Sequence, residues 1–166
     1  MEDVPYYLSR DCEAIGLPYK GGATMFIVMP SAAHHQAPPL DLFYFDTIRS
    51  SMRRRSIRVK VPKFELNQTF PLKQALQSIG VKGMFTRHAE LGGIFEHRRE
   101  HVSVSDALHK SYIKVNEKGT EVAVATGLPV HTIDYAMVIN RPFMFVIELD
   151  RLDHSHHLFV GRVTNL

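Results

Sequence analysis

The sequence predicts an α+β protein made mostly of β-strands with a few short helices. Short apolar or alternating segments, bounded by glycine and proline, outnumber segments with helical spacing. The strands do not alternate regularly with helices, as they would in a parallel α/β sheet. The 166 residues are enough for one ordinary domain, and 45% hydrophobic with 22% charged residues is typical of a soluble globular protein. We expect no membrane association, because no apolar run is long enough to cross a bilayer.

Two apolar runs near the N-terminus predict a β-hairpin. They cover residues 14–19 and 23–29, and they flank Gly21 and Gly22, which suit a tight turn. Within the second run, residues 25–29 include no polar side chain, so we expect burial on both faces. A loop is predicted next, over the proline- and histidine-containing residues 31–39.

Residues 41–55 have helical spacing, with Leu42, Phe45 and either Ile48 or Arg49 roughly along one side. The aromatic residues at the start of this segment would suit a strand as well, so both interpretations stay open.

Residues 56–62 alternate apolar and basic side chains, which predicts a strand. Val59 and its apolar neighbours then point inward, and Arg58 and Lys60 point outward. Pro62 ends the regular ladder or marks a sheet edge, because it has no backbone N–H to donate.

The second half of the chain begins with a predicted helix over 71–80, with Pro71 in its first turn and Gly80 at its end. Leu72 and Ile79 lie at the two ends of its expected apolar face. Three strands are expected after it, the last two forming a hairpin across a histidine-rich turn: 102–115, 143–149 and 157–163.

The segment 116–127 begins acidic and then becomes small and largely uncharged. Few of its side chains are large enough to anchor it in a core, which favours an exposed loop. As a strand, however, it would bury a face without charge, so both conformations are open to it. That face would carry Thr120, Val122, Val124 and Thr126, and the opposite face Glu121, Ala123 and Ala125.

This segment resembles the reactive-loop hinge of the serpins, a family of suicide protease inhibitors. Residues 137–147, with Asn140, Arg141, Pro142 and Phe143 before an apolar strand, resemble the family's C-terminal signature. The ending 158–165 is also similar. Two motifs in the right order at near the right spacing carry the resemblance, which begins around residue 14 and runs to the C-terminus.

The resemblance implies that residues 1–166 are the C-terminal portion of a single serpin domain that is incomplete on its N-terminal side. It implies a β-sandwich-like core, two strands of the large central sheet around 59–66 and 102–115, and an exposed reactive loop at about 117–140. His109 resembles the histidine of the family's shutter region. The residues also allow His109 to be a hydrogen-bonded core histidine.

The mechanism implied by the resemblance is suicide inhibition of a serine protease. The protease cleaves the loop and forms an acyl-enzyme, and the cut loop then inserts into the central sheet as a new strand. We expect no enzymatic activity, because the chain has neither a nucleophile elbow nor a phosphate-binding glycine loop. We expect no cofactor. The implied hinge is Gly119, Thr120, Glu121, Val122, Ala123, Val124, Ala125 and Thr126.

Two features of the loop depart from the family pattern. Val122 and Val124 replace the usual alanines, and the loop looks slightly short, which would slow insertion or shift the cleavage site. Counting from the hinge places the reactive bond at Ile133–Asp134. No Lys or Arg lies between residues 118 and 141, so elastase-like or chymotrypsin-like targets are expected rather than trypsin-like ones.

A basic block begins within the predicted helix 41–55 and continues beyond it, and it predicts a polyanion-binding surface. Some serpins bind heparin-like chains through a basic helix in this part of the fold, so a glycosaminoglycan is the expected partner, with a solvated basic face as the alternative. Nucleic acid is not expected, because no aromatic residue lies in the block to stack bases. The residues proposed for polyanion binding are Arg49, Arg53, Arg54, Arg55, Arg58 and Lys60.

Asn67 begins a glycosylation sequon in an expected surface turn. It favours a secreted, extracellular glycoprotein over a cytoplasmic protein, although no secretory signal opens the chain. No metal site is expected: His154, His156 and His157 lie near Asp150 in a turn of a kind that is usually solvated. The alternatives to an inhibitor are a non-inhibitory serpin relative with a binding or storage role, and an inactive truncated fragment.

Overall fold

The structure is a computed structural model, and it describes residues 3–32, 39–94, 102–116, 135–151 and 154–165. The predicted hinge and the predicted bond Ile133–Asp134 lie outside the described residues. The chain divides into two compact units, and each is described by itself: Met1–Phe64 with Val115–Leu166, and Glu65–Lys114.

The described elements are mostly strands, as predicted. In chain order they are β1 Val4–Leu8, β2 Cys12–Pro18, β3 Ala23–Pro30, α1 Leu42–Ser51, β4 Arg53–Arg55, β5 Arg58–Lys60, β6 Phe64–Pro71, α2 Lys73–Ser78, short 3₁₀ turns at Gly83–Phe85 and Gly92–Ile94, β7 Leu108–Val115, β8 Ala136–Val138, β9 Phe143–Arg151 and β10 His154–Val163.

The first unit is built on a six-stranded sheet in the order β10-β9-β3-β2-β1-β4. All its neighbouring strands run antiparallel. Strands β3 and β9 are central and predominantly apolar, which explains why most of their residues are buried on both faces. The predicted N-terminal and C-terminal hairpins are therefore both confirmed, as β2–β3 and β9–β10. The histidine-rich turn is wrong, because His154, His156 and His157 lie in β10 and pair with β9.

The turn between β2 and β3 depends on its two glycines. Gly21 and Gly22 have φ angles of 103° and 87°, a region that side chains with a Cβ rarely adopt. Tyr19 N donates to Ala23 O at 2.7 Å and closes the turn. The glycine pair was the signal that located this hairpin in the sequence.

Helix α1 covers one face of the sheet. Asp41 caps it, because its Oδ1 accepts from Phe43 N at 2.9 Å. Phe45 and Ile48 are buried in a cluster with strand residues of that face, whereas Phe43 is exposed. The strand alternative for the start of this segment is therefore wrong, and so is the inward position predicted for Leu42, which is exposed.

The opposite face of the sheet carries Ile27, which pairs across the strands with Phe145. The ring of Phe64 lies 5.6 Å from that of Phe143 and 5.7 Å from that of Phe145. These aromatic contacts extend the core beyond the sheet.

Helix α1 ends at Ser51, so the predicted helix was too long. Residues 53–55 form strand β4 instead, and they pair antiparallel with β1, from Val4↔Arg55 to Tyr6↔Arg53. The hydrogen bonds offered by β1 stabilise an extended chain where local spacing had suggested a helix.

The alternating segment after β4 forms β5, which runs parallel to β8. Arg58 and Lys60 are exposed and Val59 is partly buried, so the predicted alternation is confirmed. The strand ends at Lys60, two residues before Pro62, and Ile139 N donates to Lys60 O at 2.9 Å.

The second unit contains most of the two-stranded sheet β6–β7 and helix α2. The strand expected over 59–66 is wrong in its bounds, because β5 and β6 are separate strands. The strand expected over 102–115 begins only at Leu108. Residues 102–107 have no regular structure: Val104 N donates to Met84 O, and Ala107 O accepts from Leu72 N.

Helix α2 is shorter than the predicted helix 71–80. Pro71 ends β6 rather than opening the helix. Ile79 is 76% exposed, so it is not on a buried face. Gly80 follows the helix with a φ of 98°, and its predicted role at the helix end is confirmed.

Candidate functional site

The two flanks of the predicted reactive loop are described. Strand β7 runs to Val115, which is buried, and Asn116 is the last described residue before the loop. The predicted hinge, which begins at Gly119, thus starts four residues after the end of β7 in the sequence.

After the loop, Tyr135 is the first residue that the structure describes. The ring of Tyr135 lies edge-on to that of Tyr6, with centroids 6.3 Å apart. Met137 and Ile139 follow and are buried, so this flank is anchored in the first unit.

The Tyr6 side chain that contacts Tyr135 is itself held firmly. Its hydroxyl donates to Glu13 Oε1 at 2.9 Å, and both side chains are buried. Burial, and then the hydrogen bond to the Glu13 carboxylate, raise the pKa of Tyr6 well above its ordinary value. The phenol stays neutral and keeps its proton on the hydrogen bond, which fixes the ring against Tyr135.

A second candidate surface is the arginine edge, which we define as Arg53, Arg54 and Arg55 on β4. All three are exposed at the end of the six-stranded sheet. Arg53 Nη1 donates to Met52 O and Arg54 Nη1 donates to Asp3 O.

The guanidinium of Arg55 lies 5.9 Å over the ring of Tyr6. Within the described part of the chain, no carboxylate pairs with any residue of the arginine edge, so its three charges can meet an external anion.

Arg49 was predicted to bind the polyanion together with the residues of the arginine edge, but unlike them it pairs with carboxylates of the described part of the chain. Its Nε lies 2.6 Å from Glu148 Oε2, and its Nη2 donates to Asp150 Oδ1 at 3.1 Å. Its charge is compensated within the protein. Arg58 and Lys60 lie on β5, so the proposed polyanion residues are spread over a helix end and two strands, not over one basic helix.

His109 and Asn67 both lie on the β6–β7 sheet. The ring of His109 stacks on that of Phe70 at 6.3 Å, and its Nε2 lies 2.8 Å from Ser111 Oγ. His109 is hydrogen-bonded, as expected, but it is exposed, so the core position is wrong for this unit. Asn67 is also exposed, and it lies inside β6 rather than in a turn.

A buried ionic cluster was missed by the sequence reasoning. Glu148 is 1% exposed, and its Oε1 lies 2.8 Å from His157 Nε2. The two residues are direct cross-strand partners on β9 and β10. The signal was available: Glu148 is the first charge after an apolar strand, and such a charge is retained in a core only when it is paired.

Comparison with known proteins shows which family the chain belongs to. Residues 1–166 match the family described as Serpin (serine protease inhibitor). The human plasma serine protease inhibitor is 33% identical over 98% of this chain and 41% of its own length.

Two solved structures have a similar fold. Mouse protein-Z dependent protease inhibitor has a TM-score of 0.69 at 27% identity, covering 98% of this chain and 43% of that chain. Human thyroxine-binding globulin, solved as a complex with its ligand, has a TM-score of 0.72 at 25% identity, covering 99% of this chain and 44% of that chain.

The chain thus spans about two fifths of the length of the curated relatives that it matches. Among the described residues, no helix is both long enough and apolar enough to span a membrane.

Proposed function

Since the chain belongs to the serpin family, we propose that its full-length parent inhibits serine endopeptidases by suicide cleavage of the loop at about 117–140. The observation that carries this is the position of the predicted hinge, which begins four residues after the end of the paired strand β7. Small side chains in this position suit a segment that must leave a loop and enter a sheet. The name of the human relative, plasma serine protease inhibitor, supports the same function.

The proposed cleavage site is Ile133–Asp134, and the proposed targets are elastase-like or chymotrypsin-like proteases. The acidic specificity pocket of a trypsin-like protease selects a cation, and a loop without Lys or Arg offers it none. The test is incubation of the parent with each class of protease, followed by denaturing gels. A covalent complex that survives SDS is expected, and mass spectrometry of the released peptide should place the cut beside Ile133.

A glycosaminoglycan is the second proposed partner, and the arginine edge is its proposed site. The three cations of the edge are exposed, and they have no carboxylate partner among the described residues. Both observations support binding of a polyanion. Asn67 is exposed and is proposed to carry a glycan, and the parent is proposed to be extracellular, in keeping with relatives named as plasma proteins. Glycosidase treatment of the secreted parent should shift its mobility on a gel.

A non-inhibitory binding role is the second candidate function, and one surface feature favours it. A groove of about 310 Å³ combines the apolar side chains of Phe26 and Met52 with the cations of Arg53 and Arg54 and with the ion pair of Arg49 and Asp150. Such a lining suits a small aromatic anion, and the similarity to thyroxine-binding globulin gives thyroxine as a probe. Saturable thyroxine binding without protease trapping would favour this role; trapping without thyroxine binding would exclude it.

A further inference from the structure

Asp46, Glu148 and His157 bring three potential metal ligands together away from the reactive loop. One oxygen of each carboxylate and one ring nitrogen of His157 lie within 4.8 Å of one another. We propose that these three residues, the α1–β9–β10 triad, bind a divalent transition-metal ion, with Zn²⁺ as the best fit. Mixed nitrogen and oxygen ligands of this kind favour zinc over calcium or magnesium.

The fold holds the three ligands on three different elements. Glu148 and His157 face each other across β9 and β10, so their side chains project from the same face of the sheet. Asp46 lies on α1, next to Phe45, whose ring packs edge-on against His157 at 5.9 Å. Ligands on a helix and two paired strands are held more precisely than ligands on loops.

The charge of the cluster favours a cation. The cluster has three carboxylates, those of Asp46, Glu148 and Asp150, and one guanidinium, that of Arg49, so its net charge is −2 before His157 is counted. Asp46 makes no hydrogen bond or ion pair with another residue of the described part. A divalent ion would balance this charge and engage the carboxylate that Arg49 leaves uncompensated.

The contact between Glu148 and His157 is close to the spacing that a metal requires. Nε2 of His157 and Oε1 of Glu148 are 2.8 Å apart. Two ligands of a tetrahedral zinc ion lie about 3.3 Å apart, from metal–ligand distances of about 2.0–2.1 Å. The two atoms would therefore have to separate by about half an ångström to bind one ion.

Arg49 is compatible with this site and would orient it. Its Nε contacts Oε2 of Glu148, so Oε1, the oxygen beside His157 Nε2, is the one that would face the metal. A cation or donor on the outer oxygen of a ligating carboxylate is a common way to fix that ligand. Water would complete the coordination, because Asp46 lies at the exposed side of the triad.

The test is isothermal titration of the untagged 166-residue chain with Zn²⁺. We expect one ion per chain and a rise in melting temperature on zinc addition. Asp46→Asn and His157→Gln should each weaken binding at least about tenfold. His156→Gln is the matched control, because His156 is exposed, lies next to His157 and belongs to no described cluster; its affinity should be unchanged.

Asp46→Asn decides the outcome if His157→Gln disturbs the packing against Phe45. Asp46 is exposed, so its replacement leaves the metal-free fold intact, and a circular dichroism melt checks this. The proposal is overturned if no stoichiometric binding occurs, if Asp46→Asn binds as the parent does, or if His156→Gln weakens binding as much as His157→Gln. The last result would assign the zinc to the exposed histidines instead.

Discussion

Gly161 lies directly opposite Phe145 in the β9–β10 pair, and the phenyl ring covers the position where a Cβ would stand. A Cβ built on Gly161 would lie 2.5 Å from Cζ of Phe145. The ring cannot easily move away, because Phe145 is buried and also contacts Phe64. The glycine is thus required by the space around it, not by its backbone angles.

We predict that Gly161→Ala lowers the free energy of unfolding by about 1–3 kcal/mol, because the ring must leave its packed position. Gly83→Ala is the control, since a Cβ there meets no atom within 4 Å. Thermal or urea unfolding of the two variants beside the parent measures the difference. Equal destabilisation by both substitutions would show that the contact with Phe145 is not the cause.

We predict that Val122→Ala raises the fraction of protease encounters that end in a trapped complex. By alternation Val122 would enter the closing sheet during insertion, where overpacking costs about 1 kcal/mol or more, so a smaller side chain should enter faster. The stoichiometry of inhibition of the full-length parent measures this. Ala123→Val is the control on the opposite face, and a lower stoichiometry is expected only for Val122→Ala.

We predict that the parent inhibits elastase-like or chymotrypsin-like proteases faster than trypsin-like ones. The reason is the absence of Lys and Arg between residues 118 and 141. Second-order rate constants of inhibition, measured with one protease of each class, test it. Faster inhibition of trypsin, with cleavage mapped within this loop, would contradict the prediction.

We predict that replacing the arginine edge by alanine, in the triple variant of Arg53, Arg54 and Arg55, lowers the salt concentration at which the protein elutes from heparin. Fewer cations then release fewer counterions from the polyanion. The control removes three exposed cations elsewhere, Arg10, Arg87 and Arg162. Similar elution of the two triple variants would indicate a general charge effect and no specific surface.

We predict that the 166-residue chain alone does not trap proteases. Among the described residues, β7 pairs with β6 on one side, so an inserted hinge strand beside β7 would itself remain an unpaired edge. We expect at most cleavage near Ile133 when the chain is incubated with elastase-like and chymotrypsin-like proteases. A covalent band at the summed mass on an SDS gel would show that this part of a serpin is sufficient.

The sequence by itself predicted the elements whose signals are local. The β2–β3 hairpin follows from two apolar runs around a glycine pair, and the exposure of Arg58 and Lys60 follows from a period of two. The family follows from motifs that are continuous in sequence, the segment 116–127 and the signature at 137–147. None of these depends on which distant strand becomes a neighbour.

The tertiary structure decided where distant segments meet. Strand β4 is extended because β1 offers it hydrogen bonds from about fifty residues earlier in the chain, and this pairing overrides the local helical spacing. Arg49 is compensated because Asp150 lies beside it, although the two are 101 residues apart. Long-range pairing and register fix these contacts, and a single sequence read locally does not contain them.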